Sequence, residues 1–524
     1  MAITSPTFSS RTYWLVVLGL ALVFTLVASY TFETKVQPYG DNTTYYILAK
    51  ALAQGDGYRE IHNPTQPLHY HFPPGYPAFM SLFMHLLGQE VFSMKVLNST
   101  VLGISILLLF GLGVRLSQRL VLSVVACLLV IFNPSLLLFG SALMSEVLFL
   151  ALTLLTFHTY LNWKNRPGYG RLVILTLTLA AAFYVRSLGV ALLGGVLLSM
   201  IWHRQWKASL ITLVIFITAV VPWSLRNQNV GGSYTGQLMM KNPYNAALGK
   251  MELSDWPVRI WENFTRYLSH DLPDAFYKYV EAIDYSIAGW YTYIPGALIL
   301  LAVGYGIYRM PQHRPVFLWS ILGTCAILLL WPPAWFGVRF ILPLVPILTF
   351  FAVWGVAEAL TILAKKVNPN TKNPGYAWMP LICLVCLIPI RPQVVRLHQA
   401  TTLDENNAYR NYYTAADWCK QNLPQTATIC TRKGSLFYLH AERPVTMFIR
   451  SADPQEIIDH FNEVGVTHVV LDNLGYRDVG AYLDPAIQAN PDKFLLIIAW
   501  DNPFTGVFQY FPEGIPEHLI QPQP

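Results

Sequence analysis

The sequence predicts a polytopic all-α membrane domain of about eleven transmembrane helices, N-terminus cytoplasmic, with external loop helices and a C-terminal external α/β domain. Three observations carry that prediction. Only 12% of the 524 residues are charged and 54% are hydrophobic, which is about half the charge of an ordinary soluble chain. Apolar runs of roughly 17–25 residues, enough to span a bilayer, recur as far as residue 391. The cations between those runs fall on alternate loops, so the net charge of +6 is a membrane-topology signal and not a nucleic-acid footprint. An ordinary soluble enzyme and a disordered scaffold are both excluded.

In chain order the spans lie near 12–30, 95–114, 121–139, 144–162, 208–225, 286–308, 316–332, 338–361 and 376–391. The first is long for a signal-peptide core and no small-residue cleavage site follows, so it reads as a retained helix. The stretch 172–202 reads as two short crossings broken at Arg186, Ser187 and Gly189. With that break, Arg11 and the loops 115–119, 163–171, 203–207, 309–315 and 362–375, which include Lys372, collect thirteen Lys or Arg and no Asp or Glu. A single crossing would move the later basic loops to the other side and abolish the bias. The transmembrane domain is therefore placed at 1–392, with residues after 392 outside.

Three polar regions then face outside. The first loop, 31–94, opens with Pro38-Tyr39-Gly40-Asp41 before a helical composition in which Asp41 is placed to cap. It continues through His69-Tyr70-His71-Phe72-Pro73-Pro74-Gly75-Tyr76-Pro77, whose prolines fix an extended path. The apolar piece Ala78 to Leu87 reads as an interfacial helix. The second loop, 226–285, places Ile260, Trp261, Phe264, Tyr267 and Leu268, then Phe276, Tyr279, Val280 and Ile283, at helical spacing, as amphipathic surface helices would. The tail 393–524 alternates helices (408–422, 453–464, 479–489) with strands (427–431, 444–448, 466–471, 494–500, 506–510), the pattern of a small α/β domain. It has no Gly-rich phosphate loop or nucleophile elbow, so it reads as structural or acceptor-docking. Cys419 and Cys430 lie in it and are candidates for a disulfide in an oxidising compartment.

Ionisable residues at membrane depth are costly and mark function. Glu146 begins the fourth span without a cation nearby in sequence; capping by Ser141 or Ser145 with dipole complementation is its ordinary explanation. Arg186, Arg226 and Arg339 all fall on the external side, against the positive-inside bias. Singly each could snorkel to headgroups, but three together suit a phosphate gripped by guanidinium forks. His69 and His71 are candidate metal ligands or proton carriers, with His69 better read as a surface polar residue.

These residues fall into a pattern. Gly40-Asp41 with Tyr45, Tyr46 and Ala49, then Gly55-Asp56-Gly57-Tyr58 and Phe72-Pro73-Pro74-Gly75-Tyr76-Pro77, resemble the first external loop of the C-type membrane glycosyltransferases. Ser145-Glu146 with Leu148-Phe149, Arg186 with Gly189, Pro222-Trp223 with Arg226-Asn227, and Arg339 with Pro343 and Pro346 fit the same order. The chain is most similar to the protein mannosyltransferase and aminoarabinose transferase branch, over its whole length.

The resemblance implies a polyprenyl-phosphate sugar donor and a lipid, glycan or protein acceptor hydroxyl, joined with inversion through an oxocarbenium-like transition state. Asp41 would be the general base, and Arg186, Arg226 and Arg339 would stabilise the departing phosphate. Glu146 would orient the acceptor or hold a divalent metal, and His71, Tyr45 and Tyr76 would lie in the loop meeting donor or acceptor. Two departures stand out: Asn42 follows Asp41 where mannosyltransferases carry a second acid, and His71-Phe72 replaces the Glu-Lys of aminoarabinose transferases. If His71 stands in for that glutamate it is a candidate metal ligand. The compartment is the outer face of a bacterial plasma membrane, or the lumenal face of the reticulum in another source. A flippase or transporter of polyprenyl-linked glycans, which would favour internal repeats, and a pyrophosphate-dependent oligosaccharide ligase are the alternatives.

Overall fold

The computed structural model describes residues 9–37, 40–230, 234–245, 248–278, 289–310, 312–370 and 374–520. Pro38, Tyr39, Tyr279, Val280, Ile283 and Lys372, named above, lie outside the described residues. The chain divides into a helical unit (1–35, 70–76 and 90–402) and a second unit (36–69, 77–89 and 403–524).

In the helical unit, Ser9 accepts the Thr12 N–H at 3.1 Å and starts the helix Ser10–Tyr30. Among the described residues six helices are long and apolar enough to cross a membrane: Ser10–Tyr30, Val91–Ser117, Trp206–Asn229, Trp290–Arg309, Leu342–Val367 and one within Met379–Asn422. Tyr169–Val185, Gly189–Trp202 and Arg314–Leu330 are shorter apolar helices. The break read at Arg186 is present between the first two of these.

Two of the expected runs are interrupted. The expected run 121–139 is bent by 64° between Leu120–Ile131 and Pro134–Gly140. Asn133 causes the break: its Oδ1 accepts the Leu136 N–H at 2.9 Å, and its amide donates to Ala275 and Phe276 carbonyls at 2.8 and 3.0 Å. The run 338–361 does not begin as α-helix. Residues Val338–Phe340 and Leu342–Leu344 form 3₁₀ turns before the helix Val345–Val367. Pro343 lacks an N–H to donate, and Gly337 has φ +109°, a conformation that disfavours any side chain.

The helix Asp255–Arg266 reverses the usual amphipathic arrangement. Its buried residues are Arg259 and Asn263, while Trp261 is 64% exposed. Arg259 donates to the Leu238 carbonyl at 2.8 Å and also to that of Met240; Asn263 donates to Leu329 and Trp331 at 2.9 and 2.8 Å. The polar face thus satisfies backbone carbonyls that burial would otherwise orphan, and Trp261 with Phe264 faces outward.

The second unit is an α/β layer. Strands β1 (Ile429–Cys430), β2 (Val445–Thr446), β3 (His468–Leu471), β4 (Phe494–Trp500) and β5 (Thr505–Tyr510) form one sheet in the order β2-β1-β3-β5-β4. β1 pairs parallel with β2 and β3, whereas β5 is antiparallel to β3 and β4. Alternation sends Cys430 and Val469 to a core with Phe461 and Phe494, and Ile429 and Val470 to an opposite core with Tyr412 and Phe437. The expected helices and strands of the tail are present, but the helix Gly434–Ala441 was not anticipated.

That unanticipated helix receives the first loop. The helix Asn42–Gln54 packs on it, with Thr43 Oγ1 2.7 Å from Ser435 Oγ. The loop also covers the β2 edge, where the Val445 N–H donates to the His62 carbonyl at 2.7 Å, which removes an unpaired strand edge. Cys419 and Cys430 are both free thiols. The candidate disulfide is absent because Cys430 belongs to one core and Cys419 to the other.

Candidate functional site

The site residues of the helical unit converge at helix ends. Glu146 stands in the first turn of Ser145–Asn165 and is 1% exposed. Neither serine caps that helix. Its N-cap position is Met144, Ser141 Oγ donates to the Leu138 carbonyl, and Ser145 Oγ accepts from Arg186 Nη1 at 3.0 Å. The same Nη1 lies 2.7 Å from Glu146 Oε1. The cation missing from the local sequence therefore comes from the turn after Tyr169–Val185. A carboxylate this buried needs such a partner, because an unpaired charge in a low-dielectric interior is expensive.

Two glycines set the position of Arg186. A Cβ on Gly75 would come within 2.6 Å of the Tyr184 carbonyl carbon and oxygen. Only glycine lets the Pro73-Pro74-Gly75 segment approach the end of that helix. A Cβ on Gly189 would meet the Phe183 nitrogen at 2.6 Å, so the turn that closes with the Gly189 N–H donating to the Arg186 carbonyl at 2.8 Å also requires glycine.

Arg339 joins this group through Phe340. The Arg339 guanidinium lies 4.7 Å from the Phe340 ring centroid and that of Arg186 lies 5.8 Å from it. Such contacts lower the cost of holding two cations in one desolvated region. Phe340 was not a candidate from sequence; its place beside Arg339 was the only signal available.

Arg226 is held separately. It lies 5.0 Å over Trp223 and donates to Asn227 Oδ1 at 3.0 Å, while Asn227 donates to the Tyr70 carbonyl at 3.1 Å. The Tyr70–Tyr76 segment is thereby tied to the end of Trp206–Asn229. His71 lies within that segment with its ring 4.7 Å from that of Phe72. Tyr76 is buried, its hydroxyl donating to Asn98 Oδ1 at 3.4 Å, and Asn98 donates to the Phe139 and Ala142 carbonyls at 2.9 and 2.7 Å. Tyr76 is thereby anchored in the helical unit.

In the second unit, Asp41 occupies the N-cap position of Asn42–Gln54, but its side chain makes no capping hydrogen bond. The helix-cap explanation for this carboxylate does not hold. Tyr45 is buried on the same helix. His69 is buried with Nδ1 2.8 Å from Glu60 Oε1, an internal pair and not a surface residue. Among the described residues no group of three or more His, Cys, Asp or Glu side chains forms a metal donor set.

The chain has the fold of the C-type integral-membrane glycosyltransferases. It is similar to ArnT from Cupriavidus metallidurans in the apo state, with 13% identity and a TM-score of 0.58 over 97% of this chain and 100% of that one. The same enzyme bound to undecaprenyl phosphate matches at 14% identity and a TM-score of 0.58, over 98% and 100%. The apo oligosaccharyltransferase of Archaeoglobus fulgidus matches at 12% identity and a TM-score of 0.55, over 89% of this chain and 70% of that one. No protein-family model matches the chain, and no curated protein matches it by sequence.

Proposed function

We propose that this protein is an inverting glycosyltransferase that moves a sugar from a polyprenyl-phosphate donor to an acceptor hydroxyl at the external face of a bacterial plasma membrane. The observation that carries the reading is the buried Glu146–Arg186 pair, with Arg339 on the same Phe340 ring. Two guanidinium groups held at helix ends suit a lipid phosphate. The fold is shared with a protein whose structure holds undecaprenyl phosphate. Eleven crossings, with the basic loops inside and the site outside, are part of the same reading.

In this mechanism the acceptor oxygen attacks the anomeric carbon, and the bond from that carbon to the phosphate oxygen breaks. The acceptor proton passes to Asp41, the acid that the first-loop pattern supplies. Polyprenyl phosphate leaves as a dianion, its growing charge met by Arg186, Arg339 and Arg226. Glu146, at 1% exposure, acts as a positioning residue: it fixes Arg186 in place of touching the acceptor itself. His71 follows Tyr70, whose carbonyl accepts from Asn227, the neighbour of Arg226.

The test is transfer from radiolabelled polyprenyl-phosphate sugars in proteoliposomes, wild type beside Asp41→Asn. The reading expects wild type to transfer or slowly hydrolyse one donor, and the variant to bind that donor without turnover. An Asp41→Asn enzyme as active as wild type removes Asp41 from the mechanism. A wild type that neither binds nor consumes any donor returns the flippase reading.

A further inference from the structure

We infer that the helical unit carries a second phosphate site, for the headgroup of an anionic phospholipid, at the end of the helices opposite Glu146. A pocket of about 650 Å³ there is lined by Lys164, His203, His313 and Arg314 over an apolar floor that includes Ile307 and Leu318. A neighbouring pocket of about 550 Å³ adds Arg115, Arg166 and Arg171. Among the described residues no carboxylate lines either pocket.

The location excludes the donor phosphate. Glu146 and Lys164 lie near opposite ends of the same helix, about 27 Å apart at 1.5 Å per residue, close to the ~30 Å hydrocarbon thickness. A phosphate at Lys164 and one at Arg186 therefore belong to different molecules.

The groups in the pocket are poised to receive an anion. Lys164 Nζ donates to His203 Nε2 at 2.6 Å, so its partner is a neutral ring and not a counter-ion. His313 holds a left-handed backbone, φ +66°, and its Nδ1 is buried without a hydrogen-bond partner among the described residues. Burial first, then Lys164, Arg115 and His203, push His313 down to about 4, so the site concentrates positive potential on an imidazole kept neutral. Helix C-termini favour cations in general, which accounts for Lys164 alone. It does not account for Arg314, at the N-terminus of its helix, turned to the same cavity.

A lipid fits better than free phosphate. The apolar floor meets the cations within one pocket, and Trp202 and Tyr308, 67% and 65% exposed, line it as aromatics do at headgroup level. Basic pockets between helices at a membrane face are suited to acidic headgroups.

The test uses the full chain, delipidated in detergent and exposed to equal amounts of dioleoyl phosphatidylglycerol and dioleoyl phosphatidylcholine, with retained lipid counted by native mass spectrometry. The expected result is selective retention of phosphatidylglycerol, reduced at least tenfold in both Arg314→Gln and Lys164→Gln and unchanged in Arg11→Gln. Arg314 is exposed, and equal melting temperatures of its variant and wild type separate lipid loss from any folding defect in Lys164→Gln. Wild-type retention in both pocket variants overturns the proposal. So does equal loss in Arg11→Gln, which marks diffuse charge. Displacement by glycerol 3-phosphate at equal concentration overturns the lipid assignment in favour of a free-phosphate site.

Discussion

Arg186 Nη1 lies 2.7 Å from Glu146 Oε1, and the carboxylate it neutralises is 1% exposed. The pair joins the start of one apolar helix to the end of another and leaves the guanidinium held at a fixed place. Removing one partner of a buried pair typically costs about 3–5 kcal/mol, because the other charge is left uncompensated.

Glu146→Gln should therefore damage the enzyme in two ways. Thermal stability falls, and kcat drops by roughly 10²–10³-fold, the loss typical of removing one preorganised stabiliser of transition-state charge. Steady-state kinetics beside thermal denaturation check this. An enzyme with unchanged kcat shows that Glu146 does not position Arg186.

Gly75→Ala tests the loop that reaches the same turn. Its added Cβ lies 2.6 Å from the Tyr184 carbonyl group, a backbone contact that cannot rotate away. Overpacking of this kind costs about 1–3 kcal/mol. The expected outcome is a lower melting temperature with weakened donor turnover, whereas Gly170→Ala, with open space around it, should leave both unchanged.

Cys419 and Cys430 should resist alkylation in the folded protein and react fully after denaturation. Burial pushes the Cys419 thiol up to about 12 and that of Cys430 higher still, so little thiolate exists to react. Mass spectrometry after iodoacetamide, with and without reductant, should give the same masses. A two-proton mass deficit would contradict the free thiols.

Asp472 gives a pH dependence with a definite sign. Burial raises its carboxyl to about 6, against the opposing Leu474 N–H and Arg432; the unfolded value is about 3.9. Its contribution is fully present below about pH 4 and is lost as pH rises through 6, because the folded state then keeps a proton that the unfolded state has released. The stability difference between wild type and Asp472→Asn should shift against wild type by on the order of 2–3 kcal/mol between pH 4 and 7. Hydrogen exchange at Val469 and Val470 in the full chain measures it. A flat difference contradicts the raised value.

Much of this was legible from residue patterns. The break in 172–202 was readable because the basic loops only balance with two crossings, and helices form on either side of Arg186. The tail's strands were readable from β-branched runs such as Val466 to Leu471. The Gly434–Ala441 helix was not, since its eight residues are apolar on most sides and offer no period. The bend at Asn133 had one sequence signal, the Asn133-Pro134 step, set inside an otherwise apolar run. The local cap and Pro134 start a new helix there, and carbonyls of residues 275 and 276, which sequence does not reveal, receive the Asn133 amide.

At the site, residue types were readable and partnerships were not. Glu146 and Arg186 are far apart in sequence, so their pairing is set by how two helices pack. Ser145 looked like a cap and instead accepts from Arg186. The outward face of Asp255–Arg266 followed from Trp261 and Phe264, but sequence spacing could not reveal that Arg259 would be buried on three-dimensional carbonyl partners.

The central claim is that the arginines hold the phosphate of a polyprenyl lipid. The most direct measurement is binding of undecaprenyl phosphate and of the uncharged polyprenol to wild type, Arg186→Gln and Arg339→Gln in detergent. The predicted result is that wild type prefers the phosphate and each variant loses at least tenfold of that affinity, as charge-assisted bonds worth about 1.5–3 kcal/mol require, while polyprenol binding stays constant. Equal affinity for phosphate and alcohol in wild type, or unaltered phosphate binding in both variants, would contradict it.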